Sequence, residues 1–417
     1  MFLVILLLTT TFAVAQEEAE VELPDAGTTP DSPFYGLERA FENIGLALTF
    51  NKAKKAEKRL QRASERLAEL KAMADKGKPE FAGELTDDYE EEINEANEIA
   101  AIAKLLKEDK SKLTELIALA TSKHLSVLDE VKDKVPEQAK AAITKAKAAS
   151  MNGQENALRA LSEDEPEKAA EINLNAAKGR LNRAKEKAKS GESDDVAEAL
   201  EEYEDMTELS EELADKDAEA AEDVAEDFNE QIADLDEIED MASEDVEEEV
   251  EETKSSSLET QRDTLRSLAE DEPEKAAEIY LEAAEARLNR AEAKADENEI
   301  EEVEDEIEEF EKLAGFGNEI SQIAQGLGKD TTTVEQLVAR ATSHHLDILA
   351  EVYAKVPEQA KAAIERAMGK SVQEREQTVE ALKNKGALGN ISEEVPESIS
   401  EKIPEEVRER IEIQGRP

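Results

Sequence analysis

The sequence has no cysteine and no tryptophan. Without Cys, disulfide scaffolds, thiolate metal sites and cysteine nucleophiles are excluded. An exported chain of this kind draws its stability from packing alone. Aromatic residues make up 3% of the 417 positions, and Gly (16) and Pro (11) are sparse. Sandwich and barrel cores lean on β-branched and aromatic side chains, so this composition speaks against them. Three histidines occur in all, and a zinc centre needs three or four ligands. Neither a G-x-S-x-G elbow nor a D-x-[DN]-x-[DN]-G calcium loop is present, which removes two familiar site signatures. Gly326-Leu327-Gly328-Lys329 lacks the Walker spacing and a preceding strand, and reads as an interhelix turn. No Glu lies three residues before His124, His344 or His345, so the Glu-x-x-His pairs of di-iron bundles are missing too. No enzyme activity, cofactor or metal centre is expected from these residues.

What the chain has is Ala, Leu, Glu and Lys, the strongest helix formers. Lys and Arg total 51 against 105 Asp and Glu, a formal charge of −54. Phosphate binding needs a basic face, so nucleic acid is not an expected partner. An anionic membrane surface would repel the chain. Basic partners and weak association of divalent cations are favoured.

Residues 2–12, FLVILLLTTTF, carry no charge and are followed by Ala13-Val14-Ala15 and the acidic Gln16-Glu17-Glu18. This pattern predicts a signal peptide over 1–15. An uncleaved buried helix is the alternative. No Lys or Arg precedes the run, which leaves the assignment of Met1 as the start open. Residues 16–31 read as a disordered acidic linker. No later run approaches the 18 or so apolar residues of a spanning helix, so no transmembrane anchor is expected in the mature chain. The expected location is secreted or extracytoplasmic, at the cell surface or envelope. The tail, 386–417, carries no anchor signal.

Two internal repeats organise the rest. An Arg-Leu helix occurs at 174–188 and 281–295, each copy preceded by EDEPEKAAEI, and more distantly at 53–67. A longer repeat matches 120–143 to 341–364 without a gap, at an offset of 221. The expected parse is helical module 1 at 32–163, a diverged module 2 at 164–270 and module 3 at 271–385. Module 2 lacks a recognisable long repeat and holds a Ser-rich joint at Lys254–Ser257. Apolar positions recur at alternating spacings of three and four, as at Ala56, Leu60, Ala63, Leu67 and Leu70. The fold predicted is all-α: antiparallel helical hairpins and bundles with coiled-coil-like heptad packing and a duplicated module.

His124 and His345 hold equivalent positions on the apolar stripes of the long repeat. They are candidates for a contact or pH-sensitive role, set against a core histidine bonded to its neighbours. His344 falls off the stripe and is expected to face solvent. The acidic runs 236–252 and 299–311 read as solvated helix faces, with cation association as the alternative. Asn390-Ile391-Ser392 matches an N-glycosylation sequon. Phe34, Leu37, Phe41, Ile44 and Leu48 form one helical face, expected to dock on the bundle, with partner binding as the second reading.

Residues 31–40, DSPFYGLERA, with the Glu65–Leu70 phrase ERLAEL, the S-x-H-L-x-x-L phrase at 122–128 and the following V-P-E-Q-A stop, resemble domain of unknown function 5667. The resemblance covers about 31–150 and returns at 273–371 without the aromatic opening. It implies an exported helical domain, many examples being archaeal, and no activity, cofactor or catalytic residue. The expected function is therefore that of a non-catalytic exported or cell-envelope protein making structural or binding contacts, with a protein partner or envelope component. A carboxylate-rich divalent-cation binder is the alternative, and an enzyme using Glu acid/base pairs beside His124 or His345 comes third.

Overall fold

The computed structural model describes residues 23–105, 111–405 and 407–409. The expected signal peptide and residues 16–22 lie outside them. The described residues form fifteen α-helices and one short 3-10 turn, with no strand among them. After α1 (Tyr35–Ala47), three four-helix modules follow. The first is α2 (Lys52–Asp75), α3 (Ala82–Leu105), α4 (Ser111–Lys134) and α5 (Glu137–Leu161). The second is α6 (Pro166–Ser190), α7 (Ser193–Ala214), α8 (Ala218–Glu239) and α9 (Glu247–Asp271). The third is α10 (Pro273–Glu297), α11 (Ile300–Leu313), α13 (Thr332–Lys355) and α14 (Lys361–Lys385), with α12 (Phe316–Gly326) inserted; α15 (Glu397–Ser400) lies in the tail. In each module the first helix packs on the second and third.

The helices begin and end where local chemistry dictates. Asn51 caps α2 by accepting from Lys54 N at 2.9 Å, and Asp217 caps α8 through Glu219 N. Pro166 and Pro273 open α6 and α10, positions where a missing N–H costs nothing. Gly77, Gly191 and Asn298 stop α2, α6 and α10 with φ of 66°, 71° and 64°, the left-handed cap conformation. Burial follows the sequence stripes: Ala56, Leu60, Ala63, Leu67 and Leu70 are all core. At about 25 cal/mol per Å2 the Leu, Ile and Val positions supply most of the stabilisation and Ala permits close approach. Leu116, placed on the stripe of α4, is exposed instead.

The second module is complete. Its α8–α9 hairpin stands where the long repeat stands in the other two, although only phrases such as Leu235-Asp236-Glu237, matching Leu128-Asp129-Glu130, record the kinship. The Ser-rich joint expected at Lys254–Ser257 is not a joint. Helix α9 runs through it unbroken, with Lys254 and Ser257 buried. Ser257 donates its hydroxyl to the Thr253 carbonyl one turn back at 2.8 Å, which satisfies the polar group without ending the helix.

The Arg-Leu repeat also needs a shift of register. Arg66, Arg180 and Arg287 each stand eleven residues before the left-handed cap of their helix. The copy equivalent to Arg180-Leu181 is therefore Arg66-Leu67, not Arg59-Leu60. A heptad stripe is self-similar under a seven-residue slip, so periodicity alone cannot choose between them.

The described residues divide into two compact units, 1–157 and 158–417, with the division inside α5. The second and third modules share the second unit. Part of the segment expected to be disordered is tied down: Thr28 N donates to Glu38 Oε2 at 3.1 Å, and Lys78 pairs with Asp31 at 2.7 Å. The Lys78 ammonium holds the Asp31 carboxyl well below the usual carboxylate range.

Candidate functional site

The candidate histidines sit inside a polar layer that recurs in each module. In the first, the Tyr89 hydroxyl lies 3.1 Å from His124 Nδ1 and donates to Ser150 Oγ at 2.9 Å, while His124 Nε2 lies 2.9 Å from Ser64 Oγ. In the second, Tyr203 donates to Gln231 at 2.8 Å and lies 3.1 Å from Ser257 Oγ. In the third, Phe310 replaces the tyrosine and meets His345 edge-on at 5.4 Å between centroids. Burial pushes both imidazoles down to about 3. They are neutral, closed off from solvent, and not gathered in a cleft. His344 is exposed, 3.5 Å from Glu285. Because Gln231 fills the equivalent place, His124→Gln should cost less than about 1.5 kcal/mol in urea unfolding. His124→Ala, which leaves Tyr89 and Ser64 short of a partner, should cost about 2–4.

A large buried charge cluster joins the second module to the third. Arg287 on α10 is 4% exposed. Its guanidinium donates to Asp236 Oδ1 and Oδ2 at 2.9 and 2.6 Å and to Glu309 and Glu306 at 2.9 and 3.3 Å. Lys254 on α9 pairs with Glu239 at 2.7 Å and Glu309 at 2.8 Å, and Arg290 adds a bond to Glu306. Burial works against the Lys254 charge, but Glu309, Asp236 and Glu239 outweigh it and hold the ammonium well above its ordinary pKa. Burial drives Glu306 the other way, far above the carboxylate range, with Arg287 opposing. Four carboxylates thus face three cations. Asp236, Glu306 and Glu309 could hold a metal by their spacing alone. Their oxygens instead converge on the Arg287 fork, whose geometry and charge already satisfy them.

These carboxylates were expected to lie on solvated helix faces in the runs 236–252 and 299–311. Asp236, Glu306 and Glu309 are buried, and a turn separates α8 from α9 within the first run. Most of the other carboxylates in each run do face water. Around Glu251, Glu252, Asp305 and Glu308 they line an open cleft of about 300 Å3. Burial and then Glu251 push Asp305 up to about 6 there.

Sequence reasoning missed the buried arginines. Arg66, Arg180 and Arg287 are at most 4% exposed. Each pairs with carboxylate: Arg66 with Glu69 and Glu42 at 2.9 Å, Arg180 with Glu202 at 3.0 Å. The available signal was the Arg-Leu pair itself, kept in every copy and set beside core alanines.

A second buried corner surrounds Glu374 on α14. It accepts from Gly315 N and Gly317 N at 3.1 Å and from the Tyr280 hydroxyl at 3.3 Å. Burial raises it to about 7. A Cβ on Gly317 would sit 2.5 Å from Val338 Cγ2 and 2.9 Å from Glu374 Oε1. Gly317→Ala should therefore cost about 1–3 kcal/mol by overpacking, read as a lower urea midpoint. Asn390 is exposed just after α14, beside Ile391, which packs on Val379 and Leu382.

Residues 27–138 match the family described as domain of unknown function 5667, covering α1 to the start of α5. No curated protein matches the chain. A solved structure described as a circular tandem repeat protein with novel repeat topology and enhanced subunit contact surfaces is similar in fold. Its TM-score is 0.59 at 14% identity, over 91% of this chain and 89% of that one.

Proposed function

We propose that this chain is a non-catalytic, exported helical repeat protein that serves as a structural or binding element of the cell surface or envelope. One observation carries the reading. The polar residues of the recurring layer bond to one another in the first two modules, and in the third His345 is buried edge-on against Phe310, so they lie inside interhelical layers rather than on a pocket. His124 bonds to Tyr89 and Ser64, and Arg287 to three carboxylates. Catalysis needs a nucleophile, acid or base that can reach a substrate, and these groups face inward. A repeat architecture offers extended surfaces for contact, and no helix of the described residues is long and apolar enough to cross a membrane.

Export rests on the run at 2–12 and the Ala13-Val14-Ala15 site. Expression in a secretion-competent host, with fractionation and N-terminal sequencing, tests it. A chain beginning at Gln16 outside the cytoplasm is the expected result; an intact chain retained inside would overturn it. Crosslinking in the native envelope then tests for contacts, and the absence of any reproducible crosslink would count against a binding role.

The acidic cleft at Asp305 favours a second reading, weak divalent-cation association, because burial and then the neighbouring Glu251 and Glu302 raise that carboxyl. Calorimetry showing no saturable calcium or magnesium binding would end that reading.

A further inference from the structure

Helix α1 is turned against the usual rule for an amphipathic helix. Its charged and polar side chains face the first module. Arg39 pairs with Asp88 at 2.6 Å, Glu42 with Arg66 at 2.9 Å, and the Tyr35 hydroxyl donates to Glu69 at 2.8 Å. Phe34, Leu37, Phe41, Ile44 and Leu48, expected to dock on the bundle, point to solvent and are 55–68% exposed. Leu46 alone among the helix's apolar side chains is buried. The reason is local. Arg66 is buried in α2 and requires anionic neighbours, and Glu42 provides one from α1, as Asp236 on α8 does for the equivalent Arg287. Meeting that need fixes which side of α1 turns inward.

The face left outside carries no charge. One row, Phe34, Leu37, Phe41, Ile44 and Leu48, is large; the adjoining row, Pro33, Gly36, Ala40, Asn43 and Ala47, is small and also exposed. Both rows run at spacings of three and four. The large row alone exposes on the order of 600 Å2, the upper end of what a monomer leaves uncovered. With Phe50, 88% exposed at the end of the helix, the face approaches the ~800 Å2 per partner of a standard interface.

We propose that this face is the contact of a homodimer in which α1 packs on α1 of a second copy. A ridge of large side chains beside a groove of small ones on the same helix is complementary to itself when turned about a twofold axis. Charge permits the approach. Residues 1–157 hold 21 Lys and Arg against 29 Asp and Glu, a net of −8, so −46 of the −54 lies in the remaining 260 residues. A lipid surface fits less well, because an interfacial helix keeps a basic polar face free for the headgroups. Here the polar face of α1 is occupied by the bundle. The dimer does not depend on where the chain is located.

The absence of native cysteine makes the test direct. Ala40→Cys, at the middle of the face, should give a covalent dimer under mild oxidation, while a cysteine at the exposed Glu201 should not. Light scattering of the full chain should show twice the chain mass at micromolar concentration. The double variant Leu37→Glu/Phe41→Glu should give a single chain mass with unchanged helicity, since both side chains are already in water. A wild-type chain of single mass up to 100 μM, or equal crosslinking of both cysteine variants, would overturn the proposal. Flotation of the wild type, but not the double variant, with phosphatidylcholine vesicles would also overturn it by assigning the face to lipid.

Discussion

Arg287→Met should destabilise the second compact unit by about 3–5 kcal/mol. The substitution keeps most of the aliphatic volume and removes the fork that holds Asp236, Glu306 and Glu309 together. Lys254 and Arg290 remain, but they already serve Glu239, Glu309 and Glu306. Three carboxylates would be left within a buried site with too little positive charge, and the like charges would repel at low dielectric. Urea unfolding followed by circular dichroism should show one transition moving to lower urea while the transition of residues 1–157 stays in place. Adding Asp236→Asn and Glu309→Gln should recover part of the loss, because the penalty comes from stranded charge rather than lost contact. A loss below about 1 kcal/mol would place the cluster with ordinary surface pairs. Lys355, about a third exposed and paired with Glu292 and Asp296, is the comparison: Lys355→Ala should fall within that range.

This cluster also marks the limit of what could be read from residues alone. Helices, their periodicity and the duplicated hairpin were legible because bulky apolar residues recur at helical spacing from 53 to 74, 113 to 135 and 334 to 356. The third hairpin was not legible. Helices α8 and α9 keep the pattern of burial but exchange His124 for Gln231 and the Pro136 stop for a turn near Ser243. Gln231 can replace His124 because either side chain presents a hydrogen-bonding group to the tyrosine hydroxyl of that layer. The charged core was hidden for a different reason. A run such as Glu299–Glu311 looks uniformly solvated in one dimension, and only the packing of α11 on α10, with Lys254 of α9 reaching Glu309, sends Glu306 and Glu309 inward. The inverted α1 follows the same logic, since its greasy stripe was visible but the demand of Arg66 for an anion was not.

From pH 5 to 8 Glu374 should withdraw stability from the second unit as pH rises, the reverse of the behaviour expected when carboxylates are held by cations, while the buried imidazole of His345 acts in the opposite sense below about pH 6.5. Glu374 and Glu306 are the carboxyls that burial raises most, and Glu374 is the simpler to test because its three hydrogen-bond donors are neutral. Burial raises it from its ordinary value of 4.5 to about 7, and its side chain is 3% exposed. A carboxyl with a raised folded-state pKa favours the fold while it keeps its proton. Its contribution is complete below about pH 4.5 and is lost as pH passes through 7. At 1.36 kcal/mol per unit, the change is about 3 kcal/mol across the window. Glu69, raised by burial to about 7, acts with the same sign in the first unit, and Asp305 and Asp223, raised to about 6, add smaller amounts because both are partly solvated. Glu374→Gln removes the titrating proton but keeps only one oxygen, so either Gly315 N, now on Oε2, or Gly317 N, now on Oε1, loses its acceptor and the variant is less stable at every pH. Its urea midpoint for the second unit should be less dependent on pH between 5 and 8 than that of the wild type, with the gap between the two proteins narrowing as pH rises through 7. Parallel curves for the two across that range would mean that Glu374 is ionised throughout, stabilised by its three donors more than it is penalised by burial.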